Sequence, residues 1–301
     1  MILPFDQRRA GPPAAIGVSL SAALGLAAAV LVAAAPHPQA QFRARADLVE
    51  VYATVSDDKG RFVTDLARDE FVVLEDGVPQ EVSAFAAGDQ PVSIALAVDR
   101  SWSMAGERLE AAQRGGRELL LELGDADRAM LVAIGSDVDV AAPLTNDRRA
   151  VDTALQALDA WGSTALHDAV ITAFDAIEPA PGRRALVLVS DGIERHSQRA
   201  ADDVRARVRA SDVLAYPVVV QRKVPPLLDE LATMTGGRAV RVRHLRDLPG
   251  SLRRIASELR HQYLLGYAPA RPPVAGEYRR ITVQVTRPKH DVRARQGYLA
   301  R

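Results

Sequence analysis

The sequence predicts an α/β protein: a doubly wound, mostly parallel sheet with a small β module formed by the segments on either side of it. Between about residues 91 and 261, short apolar runs alternate with stretches of helical periodicity, the pattern of a parallel sheet covered on both faces. Before and after that region the chain turns to β-prone runs separated by turn residues. The chain has 301 residues, 48% of them hydrophobic and 25% charged, enough for one large core with a smaller one beside it. Such usage excludes a mostly disordered chain, a collagen-like repeat and a polytopic membrane protein.

The amino terminus reads as an export signal occupying residues 1–40. Residues 14–35 carry no charge and are rich in Ala, Leu and Val, with Arg8 and Arg9 ahead of them. Positive charge before an apolar run keeps the start inside and sends the downstream chain outward. The run is long enough to span a bilayer, so a retained membrane anchor competes with a signal cleaved near Ala33-Ala34-Ala35. Either way the bulk of the chain is expected outside the cytoplasm: periplasmic, extracellular or membrane-anchored.

Residues 44–90 read as a β module. Leu48, Val49, Val51 and Val55 lie in a first strand closed by Asp57-Asp58-Lys59-Gly60. A second strand at 71–74 ends in the Glu75-Asp76-Gly77 turn, and a third covers 82–85. From 91 to 261 strands are expected at 92–98, 130–134, 185–189 and 213–220. Helices are expected around 109–123, 151–158, 169–177, 204–208 and 227–234, and a last one around 248–259 follows a short strand at 239–242. Residues 262–301 return to strand character at 263–267, 281–285 and 292–298, with breaks at Pro269, Pro272, Pro273 and Gly276.

Charge is balanced overall, 38 basic against 38 acidic residues, but not locally. Residues 44–90 hold 4 basic and 11 acidic side chains, a net of −7; residues 263–301 hold 8 basic and 2 acidic, a net of +6. A basic tail can mark a polyanion patch. Here the arginines alternate with apolar residues as strand faces do, so the two ends are expected to pack on each other as one composite module. Arginine outnumbers lysine throughout, with only Lys59, Lys223 and Lys289 present, which reads as coding bias; no nucleic-acid partner is expected. The chain has no Cys, so disulfide scaffolds, thiolate metal sites and cysteine catalysis are excluded.

The chemistry lies in three loops. The strand at 92–98 runs into Asp99-Arg100-Ser101-Trp102-Ser103-Met104, placing a carboxylate and two hydroxyls at alternate positions beyond a buried strand. Gly162-Ser163-Thr164 precedes a helix, and the strand at 185–189 ends in Ser190-Asp191-Gly192. Ligands of open α/β sheets bind beyond the carboxyl ends of the strands, where the strand order reverses. Asp99, Ser101, Ser103, Thr164 and Asp191 are therefore expected to meet at that edge. All five offer oxygen, which selects Mg²⁺, with Mn²⁺ or Ca²⁺ as alternatives, over zinc or copper. Two carboxylates and three neutral hydroxyls would leave such an ion a coordination position for an acidic group from another molecule.

Asp-x-Ser-x-Ser after a strand, a Thr-bearing loop and a Ser-Asp-Gly loop together resemble the metal-ion-dependent adhesion site of von Willebrand factor type A domains. The stretches FVVLEDGVPQ at 71–80, QYLLGY at 262–267 and VRARQGYL at 292–299 resemble a bacterial family of exported type A-related proteins. The resemblance implies a Rossmann-like domain over 91–261 that binds a divalent cation and is used for protein binding rather than catalysis. It implies hydroxyl ligands at Ser101, Ser103 and Thr164, and carboxylates at Asp99 and Asp191 acting directly or through water. The expected partner is a protein presenting an Asp or Glu carboxylate.

The family usually has Gly between the two serines, where this chain has Trp102, preceded by Arg100. A large ring there either meets the partner or folds back on the apolar side of its loop. Asp168 opens the helix after Thr164, where it favours the helix N-terminus electrostatically or orients a ligand. His167 and His196 read as solvated loop residues. The rival from another class is a Mg²⁺-dependent phosphoryl-transfer hydrolase with Asp99 as nucleophile. It lacks a second carboxylate two positions on, where Ser101 stands, and a positioned lysine. A third reading keeps the fold as a metal-free scaffold.

Overall fold

The computed structural model describes residues 48–88 and 90–300. The expected export segment at 14–35 lies outside them. Among the described residues no helix is long and apolar enough to cross a membrane.

The described residues begin with four strands, β1 (Val49–Asp57), β2 (Phe71–Glu75), β3 (Val78–Gln80) and β4 (Val82–Ala86). The α/β region comes next as β5 (Val92–Asp99), α1 (Glu107–Leu121), β6 (Arg128–Ile134), β7 (Val138–Thr145), α2 (Arg148–Gln156), α3 (Leu166–Ile177), β8 (Arg183–Ser190), α4 (Ala201–Arg209), β9 (Leu214–Val219), α5 (Pro226–Thr235), β10 (Val240–Arg241) and α6 (Leu248–Arg260). The last strands are β11 (Tyr263–Tyr267), β12 (Tyr278–Val285), β13 (His290–Ala294) and β14 (Gly297–Leu299).

The central sheet has six strands in the order β10-β9-β8-β5-β6-β7, parallel except for β7, which runs antiparallel to β6 at the edge. Every residue of β5 is buried, because both faces of the sheet are covered. Ile94, Leu96 and Val98 face one core with residues of α1, α2 and α6; Ala95 and Ala97 face the other with residues of α3, α4 and α5. This is the doubly wound, Rossmann-like α/β architecture expected from the alternation of apolar runs and helices. Gly115 and Gly116 let α1 approach its neighbours closely. A Cβ on Gly115 would lie 2.7 Å from Leu252 of α6, and one on Gly116 would lie 2.6 Å from Leu155 of α2.

The flanking strands form two four-stranded sheets, β13-β1-β11-β4 and β14-β12-β2-β3, each drawing strands from both ends of the chain. All their pairings are antiparallel. They share a core that includes Val51, Val55, Phe71, Val73, Tyr263, Leu265, Ile281 and Val283. Acidic side chains of the first segment pair with arginines of the last. Arg279 meets Glu75 at 2.9 Å with both side chains buried, and Arg287 meets Asp65 and Glu70 at 3.1 and 3.0 Å.

Three elements depart from the sequence expectation. Residues 78–80, where no strand is expected, form β3, paired with β2. Residues 138–145, where no strand is expected, form edge strand β7, whose exposed Asp139 and Pro143 suit a strand with one unpaired side. The expected strand at 292–298 is broken at Arg295-Gln296 into β13 and β14, which lie in different sheets. At the break the Gln296 amide donates to the Met234 carbonyl and its carbonyl accepts from Ile281.

Candidate functional site

The chain leaves β5 for β6 on one side and later lays β8 on the other, so the winding of the sheet reverses at β5. The carboxyl ends of β5 and β8, Asp99 and Ser190, lie side by side there, the place where open α/β sheets bind ligands.

Three loops meet at this edge and are hydrogen-bonded to one another. Asp99 ties the first to the third: its Oδ1 accepts from the Ser101 amide at 2.9 Å, and its Oδ2 accepts from the Ser190 hydroxyl at 2.6 Å. The Trp102 amide donates to the Gly162 carbonyl at 3.1 Å, tying the first loop to the second. The Thr164 carbonyl accepts from the amides of Arg195 and His196, both at 3.0 Å, tying the second to the third. Gly162 takes a φ of +73°, and a Cβ there would lie 2.8 Å from the Ser136 amide nitrogen, so the turn into Thr164 requires glycine.

Asp99 is fully buried. Burial raises its pKa above the usual carboxylate range. Hydrogen bonds from Ser190 and Ser101 offset that only in part, and the neighbouring charge of Asp191 adds to the rise. The Ser101 and Ser103 hydroxyls are 3.1 Å apart, held by the short 3-10 turn Trp102–Met104 whose Met104 is buried. Asp191 is 1% exposed; its Oδ1 accepts from the Ile193 amide at 3.0 Å. Its Oδ2 is buried with no hydrogen-bond partner, and the Arg108 guanidinium stands 3.8 Å away while donating to the Ser103 carbonyl at 2.8 Å.

The edge thus gathers Asp99, Ser101, Ser103 and Ser190 in one hydrogen-bonded cluster; Asp191 follows Ser190 in the third loop, and Thr164, its side chain buried, lies in the second loop, tied by its carbonyl to the third. Among the described residues no group of three or more His, Asp or Glu is arranged to hold a metal; the cluster has two carboxylates and otherwise hydroxyls. Two observations fit a hard cation there. Asp191 Oδ2 is buried and accepts no hydrogen bond, and its ion-pair partner, the Arg108 guanidinium, stands at 3.8 Å, so a closer positive charge would stabilise it. The available donors are all oxygen, as Mg²⁺ prefers.

Asp168 turns to other work. Its two oxygens accept from the amides of Gln198 and Arg199 at 2.8 and 3.0 Å, fixing the approach to α4. Arg100 lies over the ring of Trp161, 5.3 Å from the centroid, and donates to the Asp159 carbonyl at 3.3 Å. Trp102 does not fold back: it is 66% exposed. His167 Nδ1 lies 3.0 Å from the Arg199 carbonyl, and His196 is exposed.

Glu194 escaped the sequence reading. Its Oε2 accepts from the amides of Leu166 and His167 at 2.8 and 3.0 Å, which caps α3 from a distant loop, and from the Ser197 hydroxyl at 2.7 Å. Its Oε1 accepts from the amides of His196 and Ser197, both at 2.8 Å. Burial pushes the pKa of Glu194 upward, but the bonds from Ser197 and His167 outweigh it and the net shift is downward. The only sequence signal is local, Glu194 three residues before Ser197; the capped helix is 28 positions away.

Residues 94–194 match the family model of the von Willebrand factor type A domain. No curated protein matches the chain. Among solved structures, a von Willebrand factor type A protein from Catenulispora acidiphila is 14% identical with a TM-score of 0.52, the match covering 76% of this chain and 73% of that one. The conserved hypothetical protein BatB from Bacteroides thetaiotaomicron is 21% identical with a TM-score of 0.46, covering 56% of this chain and 97% of that one. An aerotolerance-related membrane protein from Bacteroides fragilis is 18% identical with a TM-score of 0.46, covering 56% of this chain and 99% of that one. The doubly wound sheet with three loops at its reversal point has the fold of the von Willebrand factor type A domain, whose family model residues 94–194 match.

Proposed function

We propose that the protein is an exported, non-enzymatic binding module that captures an acidic group of another protein through a divalent cation. Asp99, Ser101, Ser103, Thr164 and Asp191 would hold the ion, with Mg²⁺ the first choice and Mn²⁺ or Ca²⁺ the alternatives. The ion, when bound, supplies a positive charge with a coordination position open to a foreign carboxylate. The chain's own residues do the rest. Asp99 fixes the first loop through Ser101 and the third through Ser190, Met104 roots the serine turn in the core, and Glu194 holds the third loop onto α3.

The observation that carries this reading is the buried Oδ2 of Asp191, which accepts no hydrogen bond and has Arg108 only at 3.8 Å, on the same sheet edge as the paired hydroxyls of Ser101 and Ser103. The geometry disfavours the hydrolase reading. A nucleophilic carboxylate needs an oxygen open to its substrate, whereas Asp99 is fully buried with both oxygens already accepting hydrogen bonds. Export is supported by the apolar run at 14–35 behind Arg8 and Arg9.

A pull-down from the exported fraction, run with Mg²⁺ and again with chelator, tests the proposal. Partner capture should disappear in chelator and return with Mg²⁺ or Mn²⁺; capture indifferent to chelator would place the interface elsewhere. In parallel, Mg²⁺-dependent turnover of p-nitrophenyl phosphate that is lost in Asp99→Asn would replace the binding reading with the hydrolase.

A further inference from the structure

The chain has two tryptophans, and the fold brings both to the rim of the proposed cation site. Trp102 stands between Ser101 and Ser103 and is 66% exposed; Trp161 stands three residues before Thr164 and is 42% exposed. Their two loops are locked together by a reciprocal pair of bonds. The Trp102 amide donates to the Gly162 carbonyl at 3.1 Å, and the Trp161 amide donates to the Arg100 carbonyl at 2.7 Å. The Trp161 ring is seated: a Cβ on Gly135 would come within 2.8 Å of it, and the Arg100 guanidinium lies 5.3 Å from its centroid. The Trp102 ring, by contrast, makes no ring contact or side-chain hydrogen bond among the described residues.

Leaving an indole in water wastes a large apolar surface, and tryptophan on a fixed backbone is the side chain most often found carrying an interface. Two such rings on hydrogen-bonded loops beside the acid-seeking position make a surface with two parts. The hydroxyls and carboxylates of the edge deal with charge, and the rings can only deal with apolar surface. Arg100 and Arg108 are the basic groups in the same loop and at the start of α1, which also favours an acidic visitor.

We infer that Trp102 and Trp161 form an aromatic platform that reads the residues beside the captured acid. The partner is then a protein segment in which an Asp or Glu is closely followed or preceded by an aliphatic, aromatic or proline side chain. This rests on the cation-docking reading of the same edge and adds the determinant of specificity there. Trp102, the departure from the family's usual glycine, is the discriminating residue.

The test is a selection of random heptapeptides on the purified protein in Mg²⁺. Enriched peptides should carry an acidic residue with an apolar residue within two positions. Because both tryptophans lie at the site, binding of a winning peptide should shift the intrinsic emission of the protein. Trp102→Gly should weaken that peptide by about tenfold or more and, when reselected, should return acidic winners with no apolar preference. Trp102→Leu, which keeps apolar bulk and guards against a loosened turn, should recover part of the affinity. Acidic winners with random neighbours, or unchanged winners from Trp102→Gly, overturn the platform while leaving the cation reading intact. Winners without acid that survive chelator sink the cation reading itself. An emission shift with cellohexaose in place of peptide would reassign the rings to carbohydrate and overturn the proposal.

Discussion

The Ser190 hydroxyl donates to Asp99 Oδ2 at 2.6 Å, joining the ends of the two strands between which the sheet reverses its winding. The same Ser190 oxygen accepts from the Gly192 amide at 2.8 Å, so a single hydroxyl orients both the buried carboxylate and the loop that carries Asp191. Ser190 therefore ties the end of β5 to the third loop.

Ser190→Ala removes both bonds and leaves Asp99 Oδ2 and the Gly192 amide unpaired in a buried position. The expected loss is about 1–3 kcal/mol of stability, seen as a lowered denaturant midpoint with an unchanged slope. Mg²⁺ affinity should fall as well, since the Asp191 loop loses its tether.

Asp99 makes the metal-free protein pay for its site. Its pKa is raised by burial, so its contribution to stability is present at low pH and is lost as pH rises through the folded-state value. Asp99→Asn should thus leave the metal-free protein as stable as the parent or more so at neutral pH, while removing most cation affinity. Thermal denaturation in chelator, followed by a Mg²⁺ titration of the same samples, checks both halves.

Glu194 has the opposite sign. Its pKa is lowered, so its stabilisation is present above the ordinary glutamate value of 4.5 and is lost as pH falls through the lower folded-state value. Glu194→Gln should unfold more easily than the parent at neutral pH, by about 1–3 kcal/mol for bonds to a charged acceptor. The gap between the two proteins should close in acid. A pH series of thermal melts would show it.

How far the sequence alone reaches depends on the range of the forces involved. The doubly wound sheet is readable because runs such as 92–98 and 185–189 are buried on both faces and must be apolar throughout. Strand β7 is hidden by Asp139, the pair of alanines and Pro143, all tolerated at an edge. The break at Arg295-Gln296 is hidden because it depends on partners at Met234 and Ile281, far away in sequence. At the candidate site, strand-end position places Asp99 and Asp191 at the carboxyl ends of β5 and β8. Which of their oxygens are already bonded depends on Ser190 and Ile193 geometry, and Glu194 serves amides that only the fold brings near.

In the β sheets, Glu75 and Arg279 form a buried pair at 2.9 Å, and Glu75 Oε2 also accepts from the hydroxyls of Tyr267 and Tyr298, both at 2.8 Å. Glu75→Ala would strand a buried guanidinium and two phenols together. A loss of about 3–5 kcal/mol is expected, read by chemical denaturation. A loss below about 1 kcal/mol would mean that Glu277, which contacts Arg279 at 3.2 Å, and the carbonyls of Arg271 and Pro272 together suffice for the arginine.

On the proposed reading, the buried Oδ2 of Asp191, which accepts no hydrogen bond and has Arg108 only at 3.8 Å, takes a bound cation. Titration calorimetry of Mg²⁺ into the parent protein and into Asp191→Ala, with circular dichroism to verify that both are folded, tests it most directly. A single saturable site is expected in the parent, with its near-complete loss in the variant. Equal binding by both proteins, or none by the parent, would contradict it.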